Sequence, residues 1–168
     1  MITFLQAFGH IVGVEGGLTL DPNDTGNWTG GKQNIGVLKG TKFGISAASY
    51  PSEDIKNLTL ARAQEIYKRD YWDACQCDKL PSPLNLFVFD AAVNQGVVIA
   101  IKLLQKTLGT VQDGVLGRIT IAAANRATPD TMAMYMAVRA MRYVGTANFD
   151  RFGLGWMKRL VVVAMAAK

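Results

Sequence analysis

Phe4-Leu5-Gln6-Ala7-Phe8-Gly9-His10-Ile11-Val12-Gly13-Val14-Glu15-Gly16-Gly17 is the stretch that decides the fold class. Phe4, Leu5, Phe8, Ile11 and Val12 recur at the three- and four-residue intervals that line one face of a helix. The spacing predicts a helix ending near Glu15-Gly16-Gly17, because paired glycines are natural helix stops. From Leu18 to Thr41 the periodicity gives way to Gly, Asn, Asp and Thr, with Gly30-Gly31 as a tight turn. Strand-like pieces at Ile35–Leu38 and Phe43–Ser46 predict a small hairpin lobe.

The remainder of the chain reads as helical. Thr59 caps a helix running to about Trp72, with Leu60, Ala63, Tyr67 and Tyr71 on one face. Pro81 and Pro83 reset the chain before a helix through Phe87, Val88, Ala91 and Asn94. Another runs from Val97 to Leu108 and stops at Gly109. A short helix spans Thr120–Arg126. Thr128-Pro129 starts a longer one, with Thr at the cap and Pro at the first helical position, reaching Val144. A last helix begins at Gly155 or Trp156. The expected architecture is mainly α with a small β lobe around a shared core.

Composition narrows the function classes. The chain has 168 residues, 49% hydrophobic and 18% charged, ample for a core and unlike a disordered chain. Its longest apolar run, Leu160 to Ala167, falls far short of the roughly 18 residues that a membrane span needs. No basic leader precedes the first apolar residues, so a cytoplasmic protein without a signal peptide is expected. The net charge of +5 is concentrated at the end of the chain. Arg139, Arg142, Arg151, Lys158, Arg159 and Lys168 face only Asp150 there, whereas the opening holds Glu15, Asp21 and Asp24 with no Lys or Arg before Lys32. A basic end suits an anionic polymer or ordinary surface solvation equally well. Cys75 and Cys77 are too close for an unstrained disulfide, and with the lone His10 they do not complete a zinc site, so a reduced pair is expected. No metal or organic cofactor is implied.

Glu15 stands out as the chemical residue. The glycines after it remove side-chain bulk and admit a polymer to the backbone. A partly desolvated carboxyl group near other carboxylates is expected to hold its proton near neutral pH, as a general acid requires. Asp21 and Asp24, in Asp21-Pro22-Asn23-Asp24-Thr25-Gly26, are ordinary turn formers that also offer a second carboxylate, Asp24 the freer of the two. Paired carboxylates are the equipment of glycosidic hydrolysis, in either its inverting or its retaining form. Trp28, Trp72 and Trp156 are the aromatics that would stack on sugar rings. No phosphate-binding glycine loop or nucleophile elbow is present.

Glu15-Gly16-Gly17, Asp21-Pro22-Asn23-Asp24 and Thr41-Lys42-Phe43-Gly44-Ile45-Ser46 form one ordered set. Ala63, Ile66-Tyr67, Tyr71-Trp72, Phe89-Asp90 and Val93-Asn94-Gln95-Gly96 continue it. Together they resemble glycoside hydrolase family 108, the N-acetylmuramidases of the secretion-activator and phage-endolysin type. Leu104-Gln105, Asp113-Gly114, Gly117 and Thr120 resemble that family's C-terminal peptidoglycan-binding segment, and Phe152, Gly155-Trp156 and Arg159 resemble its closing motif. The resemblance implies a lysozyme-like fold and cleavage of the β-1,4 bond between N-acetylmuramic acid and N-acetylglucosamine, with Glu15 essential. It implies a catalytic region over 1–93 and a helical peptidoglycan-binding-like region over 94–168, packed into one globule. Asp24 is then the second catalytic candidate, and Asp21, Trp28, Thr41, Trp72, Asn94, Gln95 and Trp156 are candidate substrate contacts. One departure is the insertion Asn27 to Lys39, which bears on groove shape.

The expected protein is a monomer that acts on peptidoglycan glycan strands. It binds no nucleic acid and does not insert stably in a membrane. As a phage or prophage endolysin it would be made in the cytoplasm and reach periplasmic peptidoglycan after release. Two alternatives remain beside hydrolysis: a lytic transglycosylase, and a wall-binding or secretion-assisting protein without activity. A nucleic-acid module ranks below these because the basic residues are not interleaved with aromatics.

Overall fold

The structure, a computed structural model, describes residues 1–13 and 17–167. Nothing spanning Val14, Glu15 and Gly16 belongs to that description, so Glu15 lies outside the described residues. Helix α1 covers Phe4–Ile11. It ends before the Glu15-Gly16-Gly17 stop read from the sequence, because Gly13 already takes a left-handed φ of 74° and its N–H returns to the Phe8 carbonyl at 3.3 Å.

The chain divides into two compact units, one of Phe8–Tyr67 and one of Met1–Ala7 with Lys68–Lys168. The 93/94 boundary read from the sequence falls within helix α3, Leu84–Gln95.

The smaller unit holds a two-stranded antiparallel hairpin, β1 (Thr41–Lys42) and β2 (Ile45–Ser46), with Thr41 opposite Ser46 and Lys42 opposite Ile45. Phe43 and Gly44 form its two-residue loop with φ of 50° and 74°, the double positive pair that lets a tight hairpin follow strand twist. A Cβ at position 44 would run into the Tyr67 hydroxyl, which donates to the Phe43 carbonyl at 3.2 Å. The expected strand at Ile35–Leu38 is not formed. Leu38 makes an isolated bridge with Trp28, and no strand extends from it because Gly36 has a φ of 81° and breaks the extended run. Helix α2, Leu60–Tyr67, begins where Thr59 Oγ1 accepts the Arg62 N–H at 3.2 Å. Its apolar face, with Ala63, Ile66 and Tyr67, joins Phe8, Ile45, Ile55 and Leu58 in the core of this unit.

The larger unit is helical. A π-helical segment, Lys68–Asp73, leads toward α3. Nine consecutive residues of α3, Leu84 to Ala92, are buried, so this helix is covered on every side and forms the centre of the unit. Helices α4 (Val97–Leu108), α6 (Pro129–Val144) and α7 (Phe149–Ala166) pack on it, and α5 (Arg118–Ala124) packs on α4. Gly109 closes α4 with a φ of 66°. Thr128 and Thr131 close a reciprocal capping box at the start of α6. Helix α7 begins six residues earlier than Gly155, since Gly153 does not break it: that glycine is buried against the Phe149 ring, which leaves no room for a Cβ.

Phe4, Trp72 and Phe89 meet edge to face, with centroids 5.4 to 5.9 Å apart. Cys75 and Cys77 are buried free thiols, and burial pushes the Cys77 thiol up, away from nucleophilic reactivity. Among the described residues no helix is long and apolar enough to cross a membrane.

Candidate functional site

In the smaller unit the acidic loop is held by side chains that serve the backbone. Asp21 Oδ1 accepts the Asn23 N–H at 2.9 Å, and Asp24 Oδ1 accepts the Gly26 N–H at 2.8 Å, capping a short 3₁₀ turn over Thr25–Asn27. Both residues are exposed and both make turns, so the expected contrast between a committed Asp21 and a free Asp24 does not appear in their local bonding.

Asn27 ties this loop to the hairpin. Its side chain is fully buried, Nδ2 donating to the Asp21 carbonyl at 2.9 Å and Oδ1 accepting the Thr41 hydroxyl at 2.7 Å. Its own carbonyl accepts both the Lys39 and Gly40 N–H groups at 3.0 Å. Thr41 is thereby engaged internally through its hydroxyl, while its backbone pairs with Thr19. Trp28 is half-buried, its indole N–H fixed on the Pro22 carbonyl at 2.9 Å. The segment from Asn27 to Lys39 is therefore an ordered finger: Thr29 and Gly30 donate to Val37 and Ile35 across its two arms. Asn27 escaped notice in the sequence because nothing local distinguishes it from other loop asparagines.

The larger unit brings three candidates together. Asn94 and Gln95, at the end of α3, and Trp156, on α7, line one cavity of about 250 Å³ with Arg142, Tyr143 and Thr146. Trp156 stacks on Tyr143 with centroids 5.1 Å apart and planes 24° from parallel. The Tyr143 hydroxyl donates to Asn94 Oδ1, and Arg139 Nε donates to Gln95 Oε1 at 3.3 Å. Burial raises the Tyr143 phenol above its ordinary pKa, so it acts as a donor. Arg139, Arg142 and Tyr143 share one face of α6 at spacings of three and four, a signal present in the sequence but read there only as charge.

Trp72 does not line that cavity. It is fully buried, packed on Phe4 and Phe89, with its indole N–H on Asp78 Oδ1 at 3.0 Å, and offers no face to a sugar. Phe4 and Phe89, both distant in the chain, make it a core residue.

Asp90 lies one turn before Asn94 on α3 and is fully buried. Arg139 Nη2 reaches its Oδ2 at 2.5 Å, and Arg159 Nε reaches its Oδ1 at 2.8 Å. Of the six C-terminal bases, Arg139 is therefore fully buried and Arg159, though part-exposed, is tied to the same carboxylate. The carboxylate of Asp90, held between two guanidinium groups, is not available to activate water.

Within the motif likened to a peptidoglycan-binding segment, Gln105 and Thr120 are turned inward, while Asp113 and Gly117 are exposed. Gln105 is buried, its Nε2 donating to Asp113 Oδ1 at 2.6 Å and the Val115 carbonyl at 3.0 Å while Oε1 accepts the Gly114 N–H at 2.9 Å. Thr120 Oγ1 lies 3.3 Å from the same Nε2. These residues clamp the loop between α4 and α5.

The profile of Glycosyl hydrolase 108 matches residues 8–96. Among solved structures, Brucella abortus SagA matches with a TM-score of 0.79 and 30% sequence identity, over 97% of this chain and 92% of that one. The comparison with curated proteins finds no match. With a fold that is mainly α, lysozyme-like and furnished with a small β-hairpin lobe, the chain belongs to glycosyl hydrolase family 108.

Proposed function

We propose that this glycoside hydrolase is an N-acetylmuramidase. It cleaves the β-1,4 bond between N-acetylmuramic acid and N-acetylglucosamine in peptidoglycan, with Glu15 as the general acid that protonates the leaving oxygen. The observation that carries the reading is the family match over residues 8–96, which runs across Glu15-Gly16-Gly17, the Asp21–Asp24 turn and the Thr41–Ser46 hairpin. In this reading the protein is a monomeric phage or prophage endolysin, made in the cytoplasm and acting on periplasmic peptidoglycan after release. Asp24 supplies the second carboxylate.

The test is the product spectrum from purified sacculi. Wild type is expected to release muropeptides with a reducing N-acetylmuramic acid end. Glu15→Gln is expected to keep the wild-type circular dichroism and lose at least about 100-fold in rate. More than half the wild-type rate in that variant would remove Glu15 from the chemistry.

A second reading is favoured by the bonding of Asp21 and Asp24, each with an oxygen engaged by a backbone N–H. A lytic transglycosylase needs one acid/base glutamate and closes a 1,6-anhydro ring without water. Anhydro ends in place of reducing ends would select it.

A further inference from the structure

The cavity lined by Asn94, Gln95, Arg142, Tyr143, Thr146 and Trp156 is polarised in one sense. Arg139 has donors only, so its partner on Gln95 must be the oxygen, which leaves Nε2 as the second atom of that amide. Nε2 is buried and meets no hydrogen-bond acceptor among the described residues. A buried donor left without a partner is costly, and a ligand oxygen relieves that cost. The Tyr143 hydroxyl occupies Asn94 Oδ1, so the free part of that amide is again its NH₂. Arg142 is exposed, lines the cavity and makes no ion pair among the described residues. Behind it, Arg139 and Arg159 set two positive charges against the single carboxylate of Asp90. Amide donors and the Arg142 cation thus line the cavity beside the Trp156 indole.

We propose that this cavity is a subsite for a carboxylate-bearing sugar. The acid group is held by Arg142 and the free amide donors, and the sugar ring lies against Trp156. This rests on the proposed action on peptidoglycan, whose muramic acid carries a lactyl group extended by peptide carboxylates, while its N-acetylglucosamine carries none. The subsite discriminates between the two sugars by charge.

The full chain is titrated with N-acetylmuramyl dipeptide and with the neutral N,N′-diacetylchitobiose, followed by heteronuclear NMR of the Trp156 indole. Wild type is expected to bind the dipeptide more tightly and to lose that preference in high salt. Arg142→Gln is expected to weaken the dipeptide about tenfold, the size of one charge-assisted bond, and to leave chitobiose unchanged. Gln95→Glu keeps an oxygen for Arg139 and puts a second where Nε2 stood, so it is expected to abolish the preference. Equal binding of the two probes, no saturable binding by wild type, or unchanged dipeptide affinity in Arg142→Gln overturns the subsite. Sacculus digestion is followed in parallel. A wild type that digests sacculi but fails the titration loses the subsite and keeps its function. A wild type that passes the titration without digesting keeps the subsite and loses the hydrolase reading.

Discussion

Asp24 occupies a position where chemistry and architecture can be separated by substitution. Its Oδ1 caps the turn over Thr25–Asn27, and asparagine caps about as well as aspartate. Asp24→Asn is therefore expected to melt like wild type, while Asp24→Ala loses about 1 kcal/mol. If the carboxylate is the partner of Glu15, the Asn variant also loses about 100-fold in turnover at unchanged stability. Asp21→Asn should lower turnover less. Thermal melts and turbidity decay on the same samples read both quantities, and equal small losses would assign the second carboxylate elsewhere. Local turn chemistry around Asp21 and Asp24 is legible in Asp-Pro-Asn-Asp. The hold of Asn27 on the hairpin is not, because Thr41 lies fourteen residues away.

At the scale of elements, α3 is fastened to α6 and α7 through Asp90. Arg139 is fully buried, and removing its partner strands a charge inside the unit. Asp90→Ala is expected to cost about 3–5 kcal/mol in urea unfolding, well beyond the effect of Arg159→Gln, whose side chain is part-exposed. A loss under about 1 kcal/mol would show that the pair is not holding these helices. The α4–α5 loop carries a pH signature. The Val115 N–H and the Gln105 amide hold the Asp113 carboxyl below its usual range. A carboxylate depressed in the folded state stabilises it above the ordinary aspartate value, about 4, and that contribution fades as pH falls through the lower folded value. The Tm difference between wild type and Asp113→Asn is therefore expected to be full at pH 7 and to shrink below about pH 4. A difference that is constant with pH would detach the effect from ionisation.

For the molecule as a whole, the charge of +5 is distributed differently from its position along the chain. Arg139 and the part-exposed Arg159 are both ion-paired to Asp90, leaving Arg142, Arg151 and Lys158 as exposed bases of the two last helices. Arg151 lies over the Phe152 ring at 4.9 Å and remains accessible. The double variant Arg151→Gln with Lys158→Gln is expected to reduce co-sedimentation with sacculi at low salt. The deficit should vanish as the screening length shortens from ~10 Å at 0.1 M to ~3 Å at 1 M. Equal binding at every ionic strength would make these bases a solvation feature only. Arg159 is left out of that variant because its loss would disturb Asp90.

What the sequence determined by itself is what short-range forces decide. The mainly helical class, the capping box at Thr128, the stop at Gly109 and the turn at Asp21–Gly26 all follow from residues within a few positions of each other. The ordered motifs likewise carried the family. What only the tertiary structure decided depends on partners far apart in the chain. Asp90 meets Arg139 and Arg159 across 49 and 69 residues, which buries the first charge and pairs the second. Trp72 is buried by Phe4 and Phe89, and Asn94 and Gln95 meet Trp156 only because α7 packs on α3. Periodicity says which face of a helix is apolar. It does not say which helix covers that face, and that choice is made by packing the whole core at once.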